Sequence, residues 1–271
     1  MIRATLVLAG HSLRRIRGVL IGLGVLLAAF QFLLTQVAGY LLRHSAFGEL
    51  SLLVPDFIRS VAGPSALAFM SFTGIVALGY FHPIVLGSLI ALMIAIATEP
   101  AAEVERRFVD LTLARPLTRT HVITRTLLVL VIGGSAVLGL MTAGTWAGLA
   151  CCTTADAPRP STRLIASLAI SLAAVMMCWA GVALAVAVTT RRRATAGAVT
   201  GVSALAAYLL DYLGRAWEPA GALSVLSPFH FFEPMAVING QPLSGRNLSV
   251  LVGIGMVGIA TGYIVFSRRD I

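Results

Sequence analysis

A chain of 271 residues that is 58% hydrophobic and 11% charged, with a mean hydropathy of +0.92, lies outside the soluble globular range, in which about a quarter of residues are charged. The sequence is that of an integral membrane protein. Its formal charge of +9 comes from twenty arginines and no lysine, which excludes a G-x-x-x-x-G-K-[ST] phosphate loop and any Schiff-base mechanism. The arginines fall in clusters between apolar runs, as orientation signals do, and form no nucleic-acid patch.

Residues 1–17 carry Arg3, Arg14, Arg15 and Arg17 beside an apolar stripe, Ile2, Leu6, Ala9, Leu13, Ile16 and Leu20, stepping by four and three. This pattern predicts an amphipathic helix lying in the membrane interface. Residues 18–42 form the first span, since the run is too long for a signal-peptide core and no small-residue cleavage site ends it. A mixed outer segment follows from Arg43 to Gly63. Residues 65–98 are then apolar for longer than the roughly 20 residues one span needs, and Tyr80, Phe81, His82 and Pro83 interrupt them. They read either as one helix kinked at Pro83 or as a re-entrant or interfacial piece ahead of a span over 82–98. The polar cluster favours the second.

Residues 99–125 break the apolar text with Glu99, Glu103, Glu105 and Asp110 among Arg106, Arg107, Arg115, Arg119 and Arg125. Between Glu103 and Pro116 the positions Val104, Phe108, Leu111 and Leu113 have roughly helical spacing, and Pro116 stops the helix. A short amphipathic helix at a membrane surface is predicted. Further spans follow over 126–151, 163–188, 195–213 and 248–266, separated by a polar turn, by the run Arg191-Arg192-Arg193 and by an outer loop over 215–245 rich in proline and aromatics. The fold class expected is an all-α membrane protein, one transmembrane domain over 1–271 with six spans. With the N-terminus inside, fourteen arginines fall in inner segments and six in outer ones, which places both termini and the 99–125 loop in the cytoplasm and the chain in the plasma membrane.

Read as a string, Glu103-Val-Glu105-Arg-Arg107-Phe108-Val-Asp110-Leu-Thr112-Leu-Ala-Arg115-Pro116-Leu-Thr118-Arg119 resembles the cytoplasmic loop after the second transmembrane helix of ABC-2-type exporter permeases. In that family the pattern is roughly Glu-x-Glu-x-Gly-Thr-Leu-Asp-Leu-Leu-Leu-Ala-x-Pro-Leu-Ser/Thr-Arg. Arg107 and Phe108 stand where Gly-Thr is usual, and Thr112 replaces a leucine. The tail Phe266-Ser-Arg268-Arg269-Asp270-Ile271 also resembles that family's ending. The resemblance implies a coupling helix that sits in a cleft of a separate ATP-binding cassette ATPase subunit. Glu103, Glu105, Arg107, Phe108, Asp110, Leu111, Arg115, Pro116 and Arg119 would form the interface, with Phe108 as its anchor, since buried aromatics dominate interface energies. It further implies a second permease copy or relative, with the first, second and fifth spans near the contact, and a hydrophobic or amphipathic substrate. ATP and magnesium would sit on the partner subunit; this chain would be no enzyme and would hold no cofactor.

Other residues offer less chemistry. Asp211 lies near the outer end of the fifth span with Arg215 one turn on, an i, i+4 pair rather than a proton relay. His44, His82 and His230 share no helical face, and Cys151, Cys152 and Cys178 have no zinc or redox spacing, so no metal site is expected. An ion-driven carrier is disfavoured because the span centres lack ionisable residues; a scaffold that docks a soluble partner is the rival reading. Gly18-x-x-x-Gly22, Gly144-x-x-x-Gly148, Gly197-x-x-x-Gly201 and Gly258-x-x-x-Gly262 are packing devices for close helix approach.

Overall fold

The computed structural model describes residues 2–44, 71–105, 119–152, 159–217, 219 and 221–268. The described residues are predominantly helical, with no strand, and six stretches are long and apolar enough to cross a membrane: Thr5–Arg43, Phe72–Ala97, Thr120–Cys151, Thr162–Thr189, Arg193–Ala216 and Gly245–Arg268.

Helix α1 runs unbroken over Ile2–Arg43. The expected interfacial helix of residues 1–17 and the first span are therefore one rod. Both stretches have helical pattern, no proline stands between them to end the first, and the glycine at position 18 costs only about 1 kcal/mol.

The long apolar stretch before residue 99 is divided. Helix α2, Phe72–Leu78, starts on Ser71, whose Oγ accepts from the Gly74 amide at 2.9 Å. Helix α3, Pro83–Ala97, begins after a turn at Gly79–His82, with Pro83 in its first turn, where a missing N–H costs nothing. Imidazole Nδ1 of His82 accepts from the Ile84 amide at 3.3 Å. The turn is anchored inside the bundle: Tyr80 is fully buried and its hydroxyl lies 3.0 Å from Thr145 Oγ1. Buried residues cover most of α3, from Val85 and Leu86 to Ile96 and Ala97, and leave one exposed stripe along Ile84, Gly87, Ala91 and Ala95.

After α4, Glu99–Glu105, come α5, Arg119–Cys152, and α6, Thr162–Thr189, which is capped by Ser161 Oγ on the Leu164 amide at 3.1 Å. Residues 119–125, expected in the loop, are the first turns of α5. Helix α7 is Arg193–Ala216 and the last span, α10, is Gly245–Arg268. Between them the outer loop is built of short pieces: α8, Gly221–Ser224, a 3-10 turn, Pro228–Phe231, and α9, Pro234–Ile238. Phe229 is buried in this loop, 5.8 Å from the Trp179 ring and 5.5 Å edge-on from Tyr208.

Two helix pairs are in the closest contact. A Cβ on Gly144 would stand 2.3 Å from the Ala28 carbonyl oxygen, and one on Gly148 would stand 2.7 Å from Thr35 Cβ, which brings α5 against α1. Likewise a Cβ on Gly181 would meet the Gly255 oxygen at 2.2 Å and one on Gly258 the Gly181 oxygen at 2.3 Å, which joins α6 to α10. Small residues let backbones approach and gain dispersion contact where lipid offers no hydrophobic drive between helices.

Candidate functional site

The charged end of the bundle gathers the start of α1, the end of α3, all of α4 and the starts of α5 and α7. Helix α4 has the sequence Glu-Pro-Ala-Ala-Glu-Val-Glu. Pro100 lies in its first turn, and Glu99 at its N-terminus faces the positive end of the helix dipole. Its small side chains do the packing: Ala101 is buried with Ala187 and Ala196, so α4 lies close against the end of α6 and the start of α7. The helix begins at Glu99 and is described as far as Glu105; of the amphipathic helix expected between Glu103 and Pro116, the rest lies outside the described residues.

The three carboxylates tie α4 to α1, α5 and α7. Glu99 takes Arg15 of α1 at 3.3 Å and Arg193 of α7 at 3.4 Å on its two oxygens. Glu103 pairs with Arg125 of α5 at 2.5 Å, and both side chains are largely enclosed, 17% and 10% exposed. Glu105 Oε2 accepts from the Arg193 amide at 3.0 Å. Helix α7 receives no side-chain cap from its own Arg192, so Glu105 supplies the cap from another helix, where an anion is favoured. Arg193 also donates to the Ala95 carbonyl at 2.9 Å. About two turns of helix are fastened in this way to three others, α1, α5 and α7.

Beside these pairs lies a cavity of about 300 Å³, walled by α1, α3, α4 and α5 with Arg193 at its rim. Its polar end holds Arg15, Glu99, Glu103 and Arg125, and its other end is apolar, with Ile16, Val19, Leu92 and Val129. Glu103 Oε2 and Arg125 Nη2 are buried without a hydrogen-bond partner.

Of the residues expected to meet a partner subunit, Glu103 and Glu105 are thus paired within the chain. Arg119 opens α5. Arg107, Phe108, Asp110, Leu111, Arg115 and Pro116 lie outside the described residues. From the sequence, Arg15, Arg125 and Arg193 read as orientation charges or loop charges alone. Their signal was topological: alternating spans return residues 15, 99–105, 125 and 193 to one end of the bundle.

At the opposite end Asp211 is 7% exposed and accepts from Arg215 Nε at 2.8 Å, the i, i+4 pair expected. His230 Nδ1 lies 3.1 Å from Ser224 Oγ and 4.0 Å from Asp211 Oδ1. His44 and His82 sit elsewhere, on the Tyr40 carbonyl and at the start of α3. Among the described residues no three His, Cys, Asp or Glu side chains are grouped to hold a metal ion. A groove also follows α3 and α7, with an apolar part of about 330 Å³ near Leu86, Tyr208 and Phe229 and an open part of about 550 Å³ reaching Gly197, Glu105 and Arg193.

Six apolar membrane-length helices with a charged, cross-braced end define a polytopic α-helical membrane protein. Residues 8–267 match the family model described as "Multidrug efflux system permease Rv1217c, C-terminal domain", and the chain belongs to that family. No curated protein and no solved structure matches it.

Proposed function

We propose that this chain is a permease subunit of an ATP-driven ABC-2-type exporter, working with a second permease and with separate ATP-binding cassette subunits that hold ATP and magnesium. The observation that carries the reading is the bracing of α4. A stroke delivered to residues 107–116 enters a segment whose root is tied to α1 by Glu99–Arg15, to α5 by Glu103–Arg125 and to α7 by Glu105 on the Arg193 amide. Such a root passes motion to several spans together, where a loose loop would absorb it. The arginine bias supports a cytoplasmic position for this end. The apolar groove along α3 and α7 suits a second permease and a hydrophobic or amphipathic cargo, as the multidrug description of the family supports.

Co-purification under mild detergent followed by ATPase assay tests the reading. An ATPase subunit is expected to accompany the chain, and Phe108→Ala and Arg107→Glu are expected to lower its association or stimulation about tenfold, the loss of one interface anchor. Recovery of no nucleotide-binding chain after crosslinking, with both variants behaving as wild type, would leave the scaffold reading in its place. Glu105→Arg is a separate test of the root, because it removes the cap of α7 within the chain itself.

A further inference from the structure

We propose that the cavity between α1, α3, α4 and α5 is a binding site for one amphiphile with an anionic headgroup that also carries a hydrogen-bond donor. The inference uses the membrane placement of the chain and does not depend on the exporter reading.

Charge sets the sign of the headgroup. Three guanidiniums, Arg15, Arg125 and Arg193, meet two carboxylates, Glu99 and Glu103, around the cavity, which leaves one positive charge. Each guanidinium has five N–H donors. Arg15 makes one ion pair with its side chain 58% exposed, and Arg125, 8% exposed as a residue, leaves Nη2 without an acceptor. Donors exceed acceptors, and the deficit is met by phosphate or carboxylate oxygens. Glu103 Oε2 adds the second requirement, since it too lacks a partner and takes an O–H or N–H of the same headgroup. Both orphan atoms are shielded from water, and both belong to residues that line the polar end of the cavity.

The apolar end sets the rest of the molecule. From the charged pairs the cavity continues along Ile16, Val19, Leu92, Ile96 and Val129 toward the middle of the spans, the direction an alkyl chain takes when its head lies at the level of the membrane surface. Basic pockets between span ends are where anionic lipid headgroups lodge. A volume of about 300 Å³ holds a headgroup and the first part of a chain. A membrane lipid and an anionic amphiphile in transit share this chemistry.

The test is native mass spectrometry of the full chain, delipidated in detergent and titrated with phosphatidylglycerol, with phosphatidylcholine of the same acyl chains, and with decyl phosphate. Wild type is expected to take one phosphatidylglycerol about tenfold more tightly than phosphatidylcholine, which offers no net charge and no donor. Arg15→Gln, at an exposed position that tolerates change, is expected to lower that affinity about tenfold, and Val19→Trp to abolish saturable binding by filling the apolar end. Arg17→Gln, on the same helix and outside the cavity, is expected to change it by less than about twofold. Phosphatidylglycerol that resists decyl phosphate identifies a resident lipid, and displacement identifies a mobile amphiphile; both uphold the site. Equal binding of the two lipids, or an equal loss in Arg15→Gln and Arg17→Gln, shows only general attraction to the arginines and overturns the proposal. No nucleotide or ATPase enters the measurement, so its failure and that of the exporter reading are separable.

Discussion

Four glycine pairs of the same spacing occur in this chain, and the structure uses them in two ways. In Gly144-x-x-x-Gly148 and Gly258-x-x-x-Gly262 an added Cβ would run into a neighbouring helix of the same chain, whereas Gly18-x-x-x-Gly22 and Gly197-x-x-x-Gly201 meet nothing within 4 Å. The first two have closed α1 on α5 and α6 on α10. The other two, on α1 and α7, present small-residue faces to whatever surrounds the chain. Identical motifs thus separate the contacts that build the subunit from surfaces left for lipid or for a second permease, and only the three-dimensional pairing tells them apart.

The comparison is broken most forcefully at Gly181. A leucine there would meet the Gly255 backbone, where the Cβ alone stands 2.2 Å from the carbonyl oxygen, and overpacking against backbone is expected to cost about 3 kcal/mol or more. Thermal unfolding in detergent should show a large fall in Tm or no folded protein; wild-type stability would mean that α6 and α10 do not pack as described. Arg125→Leu comes next. It strands Glu103 at the junction of α4 and α5. Enclosed pairs lose about 3–5 kcal/mol when one partner is removed, and the adjoining cavity reduces this to about 2 kcal/mol. Adding Glu103→Leu is expected to recover most of the loss, and a double variant no more stable than the single one would show that the ion pair is not the cause. The smallest effect on the subunit belongs to Gly197→Leu, expected to shift its stability by less than about 0.5 kcal/mol. If α7 faces a second permease, crosslinking between copies should nonetheless fall in this variant, and unchanged crosslinking would assign that face to lipid.

Much of this architecture could be read before any coordinates. Composition and apolar runs are properties of single segments, and six spans followed from them. The interruption at Tyr80–Pro83 and the Asp211–Arg215 pair are local too, set by a proline and by helical spacing. What escaped reading is long-range or ambiguous in pattern. Arg15 and Glu99 are 84 residues apart, and Glu105 caps the Arg193 amide across 88, distances at which spacing carries no information. The start of α4 is legible in principle, since Pro100 is a residue that opens helices, but the apolar periodicity that drew the eye begins at Val104, at the end of α4. The unity of α1 was hidden because an amphipathic stretch and an apolar one differ in environment and not in backbone.

The close approaches carry a consequence for how this sequence is free to drift. At Gly79 an added Cβ would fall 2.0 Å from Oε1 of Gln31, the far end of a side chain, while at Gly144 and Gly181 it would strike backbone atoms of Ala28 and Gly255. A lineage can therefore lose the glycine at 79 if position 31 shortens with it, and the two positions should change together. No second substitution moves a main-chain oxygen aside. Positions 144 and 181 should stay glycine wherever the two helix pairs are inherited, so the history of these sites distinguishes contacts between side chains from contacts with the chain itself.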